Sequence, residues 1–145
     1  MFSLPWQFAV PDILFSEELA EHHGHLLQLG LVSKTMSGEL IAEAYNLRQN
    51  HAKTSVNDLL ALTLAKHEHC QLLTGDKALR KVAQELRVEV HGTIWLVDQM
   101  IQYEKITVEA ARVSFLRMRN SGSRLPWIEV EKVFRRRNVR SFQEA

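Results

Sequence analysis

Gln71-Leu72-Leu73-Thr74-Gly75-Asp76-Lys77-Ala78-Leu79-Arg80, followed by Val88-Glu89-Val90-His91-Gly92-Thr93, is the stretch whose reading decides the fold. Gln71 to Thr74 reads as a strand, and Gly75-Asp76 turns it into a helix over about 77–86. Val88 to His91 reads as a second strand. Gly92-Thr93 then leads into a helix carrying Ile94, Trp95, Leu96, Val97, Met100 and Ile101. Strands alternating with helices across short turns predict a parallel sheet of an α/β protein, with ligands expected beyond the carboxyl ends of the strands.

The pattern extends upstream. Phe8-Ala9-Val10 is a short apolar run ending at Pro11, and Asp12 can cap a helix over about 13–23 with Ile13, Leu14, Leu19 and Ala20 facing inward. His22-His23-Gly24 ends that helix, and Leu31-Val32-Ser33-Lys34 reads as another strand. Ser37 is a good N-cap for a helix over about 38–49, with Leu40, Ile41, Ala44, Tyr45 and Leu47 as its apolar stripe. Ser55-Val56-Asn57-Asp58 opens the next helix. Leu59, Leu60, Leu62, Leu64 and Ala65 make it apolar nearly all round, so it is expected to be the most buried.

The tail changes character. Thr107 is placed to cap a helix over about 108–119, Asn120 to Ser123 is a loop, and Pro126 fits the first turn of a last helix. No strand signal accompanies these helices, so a helical appendage over about 107–140 is expected on a single domain spanning 1–145. The residues after Arg140 are expected to fray.

The 145 residues are 46% hydrophobic, enough to bury a core without covalent staples. The single cysteine, Cys70, excludes an internal disulfide framework. No apolar run approaches a membrane span, and the opening MFSLPWQFAVPDILF lacks a basic region and a small-residue cleavage site. The expectation is a cytoplasmic protein. A net charge of +1 does not announce a nucleic-acid binder. The distribution is more informative: Arg112, Arg117, Arg119, Arg124, Lys132, Arg135, Arg136, Arg137 and Arg140 gather in the last part of the chain. They read either as the solvated face of terminal helices or as a patch for phosphates.

Four acidic residues are candidates for chemistry: Glu18, Asp58, Asp76 and Asp98. Mg²⁺ and Mn²⁺ take oxygen ligands, and phosphodiester cleavage uses such ions to activate water and to neutralise the leaving oxygen. Each residue also has a structural reading. Asp58 follows Ser55 in a capping-box spacing, and Asp76 is placed as a helix N-cap. Glu18 and Asp98 can be polar positions on amphipathic helices. Periodicity alone does not bring the four together.

Other candidates carry less. His22, His23 and His25, and His67 and His69, lack the partner pattern of a zinc site. Cys70 reads as a small core residue at a strand start, with no activating neighbour. Trp6, Trp95 and Trp127 read as packing residues.

Four segments, taken together, carry a resemblance: Val10-Pro11-Asp12-Ile13-Leu14-Phe15-Ser16-Glu17-Glu18-Leu19, Ser55 to Leu62, Leu72 to Arg80, and Val90 to Asp98. In order and spacing they resemble the PIN-domain family, and the similarity continues to Leu125-Pro126 before the last helix. The resemblance implies a three-layer α/β/α domain with a parallel sheet. It implies Mg²⁺- or Mn²⁺-dependent hydrolysis of RNA. Many members are the toxin of a toxin–antitoxin pair, which implies a small antitoxin partner, and dimers are common, which implies a homodimer. Glu18, Asp58 and Asp76 match the family's acidic positions, with Asp98 a further metal-ligand candidate. Asn57 and Thr74 are neighbours placed to orient carboxylates or water. Lys77 and Arg80, beside Asp76, and Arg135, Arg136 and Arg137 are candidates for RNA phosphate.

One departure stands out. PIN domains begin with a central strand ending in an aspartate, and no residue here occupies that position. Asp12 belongs to the later strand–helix turn. Without that strand both neighbours would expose unpaired backbone groups. Three arrangements meet this: a start further upstream, a strand from a partner, or a different pairing of the N-terminal residues. The departure also opens a second reading, a catalytically degenerate domain that acts in binding or dimerisation.

Overall fold

All four expected strands form, and each pairs in parallel with one neighbour. In the computed structural model, which describes residues 1–137, β1 (Ala9–Pro11) pairs with β2 (Val32–Lys34), with Ala9 opposite Val32. β3 (Leu72–Leu73) pairs with β4 (Val90–His91), with Leu72 opposite Val90. The two pairs are separate two-stranded sheets among the described residues.

The described chain divides into two compact units. One holds Phe2 and Leu4–Gly92, and the other holds Met1, Ser3 and the segment from Thr93 onward. The division at Gly92 lies ahead of the appendage boundary expected near residue 107.

The strand-bearing unit is organised by α5 (Val56–His67), which buries Leu59, Leu60, Leu62, Thr63, Leu64 and Ala65. Such a helix gains little from its own propensity and much from burial, about 1.5–3 kcal/mol for each large aliphatic side chain. It packs against α4 (Gly38–Asn50), α6 (Lys77–Glu85), β1 and β3. The Thr63 hydroxyl, in this apolar surrounding, donates to the Leu59 carbonyl at 2.7 Å, which satisfies it within its own helix.

The caps follow the sequence closely. Ser37 accepts from the Leu40 amide at 3.3 Å, Ser55 from the Asp58 amide at 3.2 Å, and Asp76 from the Leu79 amide at 2.8 Å. Helices α5 and α6 end in the same way. The Cys70 amide reaches back to the Ala65 carbonyl and the Val88 amide to the Ala83 carbonyl, with His69 and Arg87 turned to positive φ. That is the Schellman arrangement, made here without glycine.

The first helix departs from expectation. It runs as α1 (Asp12–Leu14), a π-helical turn over Phe15–Leu19, and α2 (Ala20–His23). Asp12 does not cap it. Pro11 ends β1 and also holds the cap position, so Asp12 is already helical and its Oδ1 accepts from the Ile13 amide at 2.8 Å. The main buried residue is Phe15, while Ala20, expected on the inner side, is exposed. The extra residue of the π turn rotates the face that a straight helix would present. A further short helix, α3 (Leu26–Leu29), precedes β2.

The second unit is helical. It contains α7 (Thr93–Gln102), α8 (Val108–Asn120) and α9 (Trp127–Arg135) around Val97, Ile101, Ala111, Phe115, Val130, Val133 and Phe134. The Phe115 and Phe134 rings meet edge to face at 6.0 Å, a favourable aromatic geometry. Thr107 caps α8 by accepting from the Ala110 amide at 3.0 Å. Pro126 stands at the N-cap of α9, one place earlier than expected. Arg140 lies outside the described residues.

Candidate active site at the strand carboxyl ends

In the strand-bearing unit, Asp12 follows β1 directly and Thr74-Gly75-Asp76 follows β3. Parallel strands place such residues at one end of their sheet, where α/β proteins bind ligands.

Asp76 is held from two sides. Its backbone N–H donates to Thr74 Oγ1 at 3.1 Å, and its Oδ1 takes the Leu79 amide at 2.8 Å. Thr74 therefore supports Asp76 through the backbone, fixing the turn that presents it. The carboxylate is exposed and engages the cap through one oxygen. Asp58 stands in the first turn of α5, half-buried, its amide on Ser55. The reciprocal half of a capping box is not formed among the described residues, so the Asp58 carboxylate is not spent on the cap.

The glutamate that the geometry ties to this region is Glu17. Asn57 Nδ2 donates to Glu17 Oε2 at 2.8 Å, linking the π turn to the residue next to Asp58. Glu18 is exposed on the same π turn. Sequence reasoning singled out Glu18 and passed over Glu17. The signal was faint, since adjacent carboxylates on a helix look alike until the π turn sets their directions.

Arg80 joins the strand ends from α6. Its guanidinium lies 3.0 Å from where a Cβ on Gly92 would stand, and that same position is 3.5 Å from the Thr74 carbonyl oxygen. A cation is thus held beside the β3 and β4 ends, where Asp76 also emerges. Lys77 is exposed at the start of α6.

Asp98 belongs to the helical unit and is already engaged. Its Oδ1 accepts from Arg137 at 2.6 Å, its backbone carbonyl accepts from the same Arg137 nitrogen at 3.0 Å, and Arg136 stands 3.9 Å from Oδ2. A metal ion at Asp98 would have to displace Arg137. By the same contact Arg137 is half-buried and occupied, whereas Arg135 and Arg136 are exposed.

Cys70 is not the core residue expected. It is exposed, and partial burial of its sulfur together with Glu68 pushes the thiol above its ordinary range. That disfavours the thiolate a nucleophile requires. Trp6 is exposed, while Trp127 packs on the helical core. Elsewhere in the strand-bearing unit, Glu43 bridges Lys66 Nζ at 2.9 Å and His67 Nε2 at 2.7 Å, and both partners hold its carboxyl below the usual range.

Oxygen donors are the right chemistry for Mg²⁺ or Mn²⁺. Among the described residues, however, no group of three or more His, Cys, Asp or Glu side chains is gathered so as to hold an ion. The donor set does not fit a metal as the chain stands.

A helix-flanked parallel α/β domain with carboxylates at the strand ends defines a class of phosphate-ester chemistry. A family profile described as a PIN domain matches residues 1–138, and the chain belongs to that family. PIN domains are in general nuclease folds and divalent-metal dependent. No curated protein and no solved structure matches the chain. None of the described helices is long and apolar enough to cross a membrane.

Proposed function

We propose that this chain is a PIN-type ribonuclease domain acting on RNA phosphodiester bonds, with Glu18, Asp58 and Asp76 as its carboxylates. The observation that carries this reading is the family match along residues 1–138, on a chain that keeps acidic side chains at the π turn, the α5 start and the β3 end. Asp76 reaches solvent with Thr74 bracing its turn, and Arg80 supplies a nearby positive charge for phosphate. Asn57 orients the glutamate-bearing turn. Mg²⁺ or Mn²⁺ is the ion this chemistry calls for. No reaction step is assigned to it, because the carboxylates are not assembled around an ion. A toxin role, a small antitoxin partner and a homodimer are the finer parts of this proposal.

The unassembled donor set favours a second reading, a PIN-fold module that binds RNA without cutting it. One experiment separates them. Mixed-sequence RNA is incubated with the chain and Mn²⁺ or chelator, with Asp58→Asn alongside. Metal-dependent cleavage that the substitution removes supports the nuclease. RNA binding without cleavage supports the module.

A further inference from the structure

We propose that one extended strand from another polypeptide inserts between β1 and β3, completing a continuous parallel sheet. The hydrogen-bond ladders carry this. The Val32 amide donates to the Phe8 carbonyl, which, with Ala9 opposite Val32, aims alternate residues of β1 at β2 and leaves the Ala9 N–H and C=O on the far edge. Likewise the Leu72 and Thr74 amides donate to the Glu89 and His91 carbonyls, so the Leu73 N–H and C=O point away from β4. Ala9 and Leu73 have exposed side chains as well, unlike the covered strands of ordinary parallel sheets.

Both bare edges rest on one helix, since α5 packs against β1 and against β3. A helix is about 10–12 Å across and neighbouring strands are about 4.8 Å apart. Two strands that share a helix yet are not bonded to each other leave the width of about one strand between them.

The occupant must have two free edges. Every described strand of this chain already spends one edge on its neighbour, so a second copy cannot lend one without breaking a pair. The segment ahead of β1 is placed elsewhere, with the Phe2 ring against Phe8 at 5.8 Å and beside Gly30, which precedes β2, and with Leu4 buried. An extended segment of another protein meets the requirement. A strand covered on both faces is rich in Val and Ile. This is β-augmentation at two edges at once, with main-chain bonds supplying the affinity. It does not depend on the nuclease reading.

The test uses the full chain and a short capped peptide of alternating valine and isoleucine between terminal lysines. Amide hydrogen exchange is followed by NMR at Ala9 and Leu73, with Ser33 and Val90, whose amides face the outer edges, as internal controls. The expected result is at least tenfold slower exchange at Ala9 and Leu73 with no change at Ser33 and Val90. The same peptide with methylated backbone nitrogens should give no protection. Leu73→Pro should fold, because that N–H bonds to nothing within the sheet, and should weaken the peptide at least tenfold. Equal protection at inner and outer edges, or none at all, overturns the proposal. So does protection that rises with protein concentration without peptide, which would make a second copy the occupant. Protection only when the peptide is fused ahead of Met1 likewise overturns supply by another chain.

Discussion

Asn57 Nδ2 donates to Glu17 Oε2 at 2.8 Å across a separation of 40 residues, and so fastens the π turn to the first turn of α5. The bond joins the two segments that carry Glu18 and Asp58. A π turn is the less stable form of a helix and persists where its surroundings hold it. Asn57→Ala is therefore expected to cost about 0.5–1 kcal/mol, the range for a net hydrogen bond. The double variant with Glu17→Ala should cost little more than either alone. Urea unfolding of the four proteins in a mutant cycle measures this, and fully additive losses would show that the bond contributes nothing.

Asp76 combines a cap with an exposed carboxylate, and two substitutions separate these roles. Asp76→Ala should lose about 1 kcal/mol of stability, whereas Asp76→Asn, which caps equally well, should stay within about 0.5 kcal/mol of the parent. Under the nuclease reading both should lose RNA cleavage. Cleavage retained by Asp76→Asn would reduce Asp76 to a cap.

The arginines of the last helix divide in the same manner. Arg135 and Arg136 are exposed, so alanine at either should lower the salt dependence of RNA binding by about 0.7 in the log–log slope if it meets a phosphate. Arg137→Ala should leave that slope unchanged. It should instead cost about 1–2 kcal/mol, because a half-covered Asp98 carboxylate loses its partner. Filter binding across a salt series, with unfolding curves beside it, reads both quantities.

Gly92→Ala tests the placement of Arg80. The new methyl would stand 3.0 Å from the Arg80 guanidinium, the far end of a flexible side chain, which can swing aside. Stability should change little, while RNA binding should weaken toward the level of Arg80→Ala. An unchanged affinity in Gly92→Ala, with a loss in Arg80→Ala, would show that Arg80 acts from elsewhere.

Glu43 gives a pH prediction. Its carboxyl is held below the usual range by hydrogen bonds from Lys66 and His67. A carboxyl lowered on folding stabilises the native state above its unfolded pKa, and that stability is lost as pH falls through the folded value. Glu43→Gln should flatten the acid side of the unfolding midpoint between about pH 5 and pH 3, measured by thermal melts across that range. An unaltered profile would remove Glu43 from the acid response.

Much of this was legible in the sequence where local rules govern. Ser37, Ser55, Asp76 and Thr107 announce caps because a short polar side chain before an apolar run has one good use there, and each forms its bond. The α5 apolar surround told its burial. What stayed hidden depends on distant partners or on a single inserted residue. The π turn altered the inner face at Phe15, and no period in the sequence marks it. Asp98 meets Arg137 39 residues away. The separation of β1–β2 from β3–β4 follows from the strand that the family resemblance expects and the chain does not contain. The acidic positions were legible through the resemblance. Their side-chain arrangement was not, since exposed carboxylates leave no periodic trace.

The most direct measurement is cleavage of mixed-sequence RNA by the purified chain in Mn²⁺ against chelator, with Asp58→Asn as control. The account predicts cleavage that needs the metal and disappears in Asp58→Asn. RNA bound but left intact in Mn²⁺, at the level of Asp58→Asn, would contradict it and make the chain a binding module of the PIN fold.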